Sequence, residues 1–508
     1  MKIERTKNAT RNIIYGVFLK IYQLLGPFIL RTIFIYTLGM EYLGLNSLFT
    51  SILSVLNLAE LGVGSALVFS MYKPIAEDDT EKICALMNLY KLYYRIIGAV
   101  ILIIGLILVP FIPKLISGSV PEDVNIYVLY LMNLGATVLS YWLFAYKTCL
   151  FGAHQRNDMI AKVTIVSSTL QYIIQAIFLI SISNYYLYLT ITLTTGIFNN
   201  LYAAYKSNKM YPKYKARGNL ERTEVKEIHR KVRDLFTSKI GGAVVDSADT
   251  IVISTFLGLT TLAIYNNYFY IMSSIYGFIM IIFNACMAGV GNSLIVESED
   301  KNYNDLKKFL YIVCWIASVC TCCLLGLYQP FMKMWVGEKS MLSFNLVICI
   351  CIYFFVRNIN TLINMYKDAA GMWHEDKWRP LVVSLANLGL NLILVHYIGL
   401  FGILLSTILT MAFIGMPWLI YNLFTVIFKR NAIEFIFKML FYTGLVCIMC
   451  VITYAVCVHI SLSGVVGFVV KGIVIFGIAN VIFLGATFLI PEFGQTKELI
   501  LKIIKRNF

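Results

Sequence analysis

Several ionisable residues stand inside long apolar runs, where charge is expensive, among them Lys20, Arg31, Glu60, Arg95, Asp246, Asp249 and Arg357. A charged side chain at the centre of a bilayer costs about 2.5–3.5 kcal/mol on insertion scales, so each needs a reason to be there. Lys20 and Arg31 are eleven residues apart. At ~100° per residue this is some 20° past three turns, so both project from one helical face. Gln23 and Pro27 share that stripe. Lys239, Asp246 and Asp249 again fall on a single face, at relative positions 0, 7 and 10. Guanidinium and ammonium groups grip phosphate oxygens, whereas paired carboxylates suit a proton, a sodium ion or an ion pair. Snorkelling of Lys20 and Arg31 toward opposite membrane surfaces is the structural alternative.

Glu60 lies one turn beyond Asn57, and Arg357 sits among Asn358, Asn360 and Asn364, a polar cluster unsuited to lipid. Lys471 is also within a span and is assigned a structural role. The deeper charges lean cationic, with Lys20, Arg31, Arg95 and Arg357 set against Glu60, Asp246 and Asp249. A cavity lined this way suits an anionic ligand.

Other chemistries find little support. Most of the 12 cysteines fall in apolar runs, where cysteine behaves as a small hydrophobe. The Cys447-x-x-Cys450 pair has no second pair and no histidine beside it. The 5 histidines are scattered. No phosphate-binding loop and no zinc-type spacing occurs, so neither a metal nor a nucleotide cofactor is expected.

The elements that carry these residues follow from composition. Of 508 residues, 59% are hydrophobic and 14% charged, against about 25% charged in soluble domains. One crossing needs about 20 apolar residues, and fourteen candidate runs lie near 12–36, 43–70, 86–112, 124–147, 162–181, 185–205, 236–257, 263–291, 308–328, 342–365, 380–397, 401–424, 434–457 and 465–489. The first run exceeds 20 residues and lacks a small-residue cleavage site, so no cleavable signal peptide is expected. Placing both termini in the cytoplasm leaves only Lys114, Lys333 and Lys339 in outer loops, as the positive-inside rule requires. The net charge of +15 is then mostly topology. The basic stretch 206–235 carries Glu221, Glu224, Glu227 and Asp234 and reads as an amphipathic helix on the inner leaflet, attracted to anionic lipid rather than nucleic acid.

The chain is also duplicated. Lys20, Leu38, Gly39 and Leu43 recur 219 residues later as Lys239, Leu257, Gly258 and Leu262, and Lys114 and Gly118 recur as Lys333 and Gly337. Gly62-Val63-Gly64 returns as Gly289-Val290-Gly291, displaced by 227, and Tyr146-Lys147 and His154 return as Tyr366-Lys367 and His374, displaced by 220. Six spans separate the copies, so the halves are parallel repeats. Transporters of this build place substrate at the repeat interface and rock one bundle against the other. The expected organisation is an all-α membrane protein with a first lobe at 1–205, a basic linker at 206–235, a second lobe at 236–424 and two extra helices with a basic tail at 425–508. Under the 219 displacement Asp249 aligns with Leu30 and Thr250 with Arg31. Two readings of this asymmetry stay open: an ion pair that makes and breaks during rocking, or carboxylates that take up a proton or sodium ion while arginine holds substrate.

The duplicated arrangement, with the run from Lys20 to Gly44, the Glu60-Leu61-Gly62-Val63-Gly64 turn and the Lys239 to Tyr265 run, resembles the multidrug/oligosaccharidyl-lipid/polysaccharide (MOP) flippase superfamily. Within it, the chain is most similar to Wzx-type flippases of capsule and O-antigen repeat units. The resemblance implies a non-enzymatic carrier in the bacterial cytoplasmic membrane. Its cargo would be an undecaprenyl-pyrophosphate-linked oligosaccharide, moved from the inner to the outer leaflet. Glycosyltransferases and a polysaccharide polymerase are the partners such a role implies. Ion coupling, often proposed for the family, would fall to Asp246 and Asp249. A cation-coupled multidrug or metabolite antiporter of the same fold, a lipid II flippase and a membrane scaffold for glycosyltransferases are the alternatives.

Overall fold

The computed structural model describes the backbone of residues 5–60, 62–118 and 120–507. Among these residues the chain is entirely helical, with no strand. The helices are α1 (Arg5–Thr37), α2 (Met40–Leu56), α3 (Val63–Ala76), α4 (Thr80–Leu108), α5 (Ile126–Trp142), α6 (Cys149–Ala153), α7 (Asn157–Ile182), α8 (Tyr185–Met210) and α9 (Arg222–Leu257). They continue with α10 (Leu259–Val296), α11 (Glu299–Val336), α12 (Phe344–Ala369), α13 (Arg379–Thr410), α14 (Met416–Val426), α15 (Ile433–His459), α16 (Gly464–Thr487) and α17 (Pro491–Asn507). Among the described residues, nine segments are long and apolar enough to cross a membrane, or ten if α5 and the stretch through α6, bent by 51°, form one crossing.

Side-chain pairings give the direction of each helix. In the first unit, Lys162 lies over the Tyr15 ring, Tyr22 meets Thr169 and Gly26 faces Tyr172. The offset is nearly constant, so α1 and α7 run parallel. Tyr94 with Tyr141 and Gly105 with Tyr130 give a nearly constant sum, so α4 and α5 run antiparallel. Parallel α1 and α7 require an odd number of crossings between them. With α4 and α5–α6 each crossing once, α2 and α3 must together cross once as well. This crossing is broken. A 3-10 turn at Asn57–Glu60 follows α2, and Gly62 adopts φ 90° and ψ −21° before α3. That left-handed conformation is open to glycine at little cost.

In the second unit, α13 reverses direction within one continuous assignment. Ile398 and Gly399 leave helical geometry, with Gly399 at φ 56°. Asn387 then donates to Thr407 at 3.0 Å, and Gly402 packs against the Leu394 backbone. The segment 379–426 is therefore an antiparallel hairpin of two limbs. Tyr303 with Glu434, Cys322 with Cys450 and Gly326 with Cys457 make α11 and α15 parallel. Trp315 with Asn480 and Gly326 with Ile475 make α11 and α16 antiparallel.

The duplication is visible in backbone geometry. Gly39, before α2, has φ 102° and ψ 180°, and its counterpart Gly258, before α10, has φ 86° and ψ 171°. Gly118 and Gly337 likewise share φ of 86° and 81°. The two copies differ at the glycine pair of the second span, because α10 runs unbroken through Gly289 and Gly291 where the first copy breaks. By contacts the chain divides into units Met1–Ala263 and Ile264–Phe508, so α9 is counted with the first.

The basic stretch also differs in detail from its sequence reading. One helix runs from Arg222 to Leu257 without a break, joining the amphipathic segment to the apolar one. The loop before it is fastened to the start of α4: Lys82 pairs with Glu224, and Asn88 donates to the Gly218 carbonyl at 2.9 Å.

Candidate functional site

Helix α1 presents three distinct faces. Tyr22, Gly26, Leu30 and Phe34 form the packed one. Tyr22 bonds Thr169 at 2.6 Å, Gly26 leaves no room for a Cβ beneath the Tyr172 ring, and Phe34 meets Tyr185 and Tyr188 edge-on at 5.8 and 4.9 Å. Phe18, Ile21, Leu25 and Ile29 form a second, exposed and wholly apolar face. Lys20, Gln23, Pro27 and Arg31 form the third, in which Lys20 and Gln23 are exposed while Pro27 and Arg31 are half-buried. At ~100° per residue each stripe fits an arc of about 80–120°, and the polar stripe lies roughly opposite the exposed apolar one. If the exposed apolar face meets lipid, the cations point away from it. The helix continues through Pro27.

Glu60 ends the 3-10 turn in the broken crossing, half-buried. Tyr94 donates to one carboxylate oxygen at 2.5 Å and Tyr141 to the other at 2.8 Å. Tyr141 also reaches Asn57 at 3.2 Å, and Tyr90 shares a 2.9 Å bond with Tyr94. Non-helical backbone at membrane depth survives only where its polar groups are satisfied, and this phenol cluster closes over the break. Sequence reading selected Glu60 and Asn57 but missed the three tyrosines. The four-residue spacing of Tyr90 and Tyr94 was the available signal, while Tyr141 comes from a different helix.

Arg357 stands on α12, half-buried. Its guanidinium carbon lies 4.2 Å from the Tyr276 ring centre and 5.6 Å from that of Tyr353, and Nη1 donates to the Tyr353 hydroxyl at 3.1 Å. Tyr276 is itself fixed by a 2.8 Å bond with Thr361, whose hydroxyl bonds back to the Arg357 carbonyl at 2.7 Å. Two aromatic faces thus hold a flexible cation in one orientation, an attraction of about 0.5–2 kcal/mol. Asn358 beside it is fully buried.

Two turns beyond Arg357, Asn364 accepts from Arg379 at 3.0 Å. Arg379 is buried and grips Asp376 with two bonds, of 2.6 and 2.7 Å. Lys367, also buried, lies 3.6 Å from Asp376 and 2.7 Å from Asp368. In the first unit, Arg156 grips the fully buried Asp158 in the same two-pronged manner, at 2.8 and 3.2 Å. These clamps went unnoticed in the sequence because their charges lie at helix ends and in the short loops between them, where solvated residues are the default.

The other expected residues take separate places. Arg95 is exposed on α4, and its carbonyl accepts from the Trp142 indole at 3.2 Å. Asp249 is buried on α9, between buried Ala248 and Thr250. A turn later, Ser254 donates to the Leu115 carbonyl at 2.8 Å and its own carbonyl accepts from the Ser117 N–H at 3.0 Å. The side chains of Lys239 and Asp246 lie outside the described residues. Lys471 is half-buried. Among the described residues, no three His, Cys, Asp or Glu side chains gather closely enough to share a metal ion.

Among solved structures, lipid II flippase MurJ in an inward closed conformation matches with a TM-score of 0.64 at 17% identity, covering 94% of this chain and 99% of MurJ. An inward-facing multidrug resistance MATE family transporter of the MOP superfamily matches at 0.62 and 15% identity, covering 80% of this chain and 97% of that one. A MOP superfamily transporter from Pyrococcus furiosus, whose title speaks of a binding pocket of reverse polarity, matches at 0.55 and 14%, covering 84% and 97%. Identities this low establish the fold alone. A sequence comparison with curated proteins finds no match. The model of the family described as polysaccharide biosynthesis protein matches residues 9–287, more than half of the chain. The chain therefore belongs to the polysaccharide biosynthesis protein family and has the fold shared by MurJ and the MATE transporters.

Proposed function

We propose that this protein is a flippase that carries an undecaprenyl-pyrophosphate-linked oligosaccharide repeat unit from the inner to the outer leaflet by alternating access. It crosses the cytoplasmic membrane fourteen times with both termini inside, and serves capsule or O-antigen-type export. The observation that carries the reading is the placement of Lys20 and Arg31 on the α1 face roughly opposite the exposed apolar stripe. Membership of the polysaccharide biosynthesis family supports the substrate class.

Arg31 and Arg357 bind the pyrophosphate, with Lys20 and Arg95 assisting along a hydrated path, while the polyprenyl tail stays in the bilayer. Glu60, Asp246 and Asp249 supply the ion-coupling or gating groups. At ~100 mV inside negative, moving each negative charge outward is favoured by about 2.3 kcal/mol, so the membrane potential drives the head group in the productive direction. The cationic lean of these residues disfavours an exporter of organic cations. The test is complementation of a strain lacking its repeat-unit flippase. Arg31→Ala combined with Arg357→Ala is expected to abolish polymer export at normal protein abundance, and export at parental levels would refute the assignment.

A further inference from the structure

At one end of the second unit, a slot of about 200 Å³ opens between α11, α16 and α17. Tyr311 and Trp315 form one wall, Leu484 the second, and Phe493, Thr496, Lys497 and Leu501 the third. The polar tips of the first wall are already engaged: the Tyr311 hydroxyl meets Thr487 at 3.2 Å and the Trp315 indole donates to Asn480 at 2.9 Å. What remains is an apolar slot with the exposed Lys497 at its edge. Lys497 has no carboxylate partner among the described residues, although the cations around it do. Lys438 pairs with Glu492, and Lys307 with Glu434 at 3.1 Å.

Burial of Glu492, 3% exposed, on Lys438 fixes the start of α17 against the bundle. The sequence of α17 continues as Leu501-Lys502-Ile503-Ile504-Lys505-Arg506. A short helix alternating apolar and basic residues lies in a membrane interface, where its cations attract anionic headgroups.

We propose that the slot binds a single anionic glycerophospholipid of the surrounding bilayer. One acyl chain fills the space between Trp315, Leu484 and Phe493. The phosphate pairs with Lys497 at the edge of the slot. The occupant is a resident lipid that ties α17 and α16 to α11. This assignment is independent of the cargo proposed above.

The test uses native mass spectrometry of the full-length protein, released from nanodiscs containing equal amounts of dioleoyl phosphatidylglycerol and dioleoyl phosphatidylcholine. The parent is expected to retain one phosphatidylglycerol, and Lys497→Gln to lower its retention about fivefold, the worth of one interfacial cation. Lys497→Arg is expected to restore retention, and Leu484→Trp, which fills the slot, to remove it. Should Leu484→Trp fail to fold, Lys497→Gln and Lys497→Arg decide alone. Equal retention of both lipids by the parent would overturn the proposal. So would parental retention in Lys497→Gln, or stoichiometric displacement of phosphatidylglycerol by undecaprenyl phosphate.

Discussion

Replacing Arg357 by lysine keeps the charge and removes the planar fork, which isolates what the aromatic cradle is for. In the parent, the guanidinium lies 4.2 Å from the Tyr276 ring centre and spends one N–H on the Tyr353 hydroxyl, at 3.1 Å. Arginine presents five N–H groups in a planar fork, a geometry that can grip a phosphate side by side. A lysine ammonium offers a point charge and cannot present that pair in a fixed plane. Hydrogen bonds to charged groups contribute about 1.5–3 kcal/mol. Losing one bond of the bidentate pair therefore weakens binding by about 2 kcal/mol, or roughly 30-fold. Tyr276→Leu retains the arginine but removes its plate, and is expected to weaken binding about fivefold. The assay is calorimetric titration of detergent-purified protein with farnesyl pyrophosphate, using farnesol as the uncharged control and melting temperature to confirm folding. If Arg357→Lys and Tyr276→Leu both bind within threefold of the parent, Arg357 does not hold the pyrophosphate and the cradle is structural.

Two further outcomes concern stability. Glu60→Gln exchanges two charge-assisted phenol bonds for neutral ones and is expected to cost about 2 kcal/mol, read as a lower melting temperature in detergent. An unchanged melting temperature would show that Tyr94 and Tyr141 do not close the break. At Gly44 an added Cβ would lie 2.7 Å from the Leu259 carbonyl carbon, whereas at Gly135 it would meet nothing within 4 Å. Gly44→Ala is expected to destabilise by about 3 kcal/mol and Gly135→Ala to stabilise by about 0.5–1 kcal/mol. Equal melting temperatures for the two variants would refute the close approach of α2 to the start of α10.

Much of the fold was legible because apolar length is a local signal. The runs at 308–328 and 434–457 lie within α11 and α15, and those at 342–365 and 465–489 overlap α12 and α16. The hairpin at 380–397 and 401–424 was legible too, since Gly399 interrupts the pattern where the chain reverses. The stretch from Glu60 to Gly64 was legible as a turn but not as a break of the crossing at 43–70, because leucine and valine continue the apolar run and the positive φ of Gly62 is a property of the folded chain. The face-sharing of Lys20 and Arg31 followed from angular arithmetic alone. Which of the remaining faces is packed and which exposed required the structure, in which Gly26 and Leu30 are covered. Tyrosines gathered around Glu60 and Arg357 escaped notice for a general reason. A phenol is apolar enough to hide among hydrophobes, and its partner is chosen by tertiary packing.

The broken crossing also sets an order for assembly in the membrane. Glu60 receives its hydroxyls from residues 34 and 81 positions later in the chain. When α2 and α3 first leave the ribosome, neither donor has been synthesised, and the carboxylate has no satisfied place in hydrocarbon. The segment 40–76 therefore reaches its settled state in the bilayer only once α4 and then α5 bring their tyrosines to it. A chain truncated before Tyr141 leaves the carboxylate incompletely satisfied, at a cost of up to about 2.5–3.5 kcal/mol.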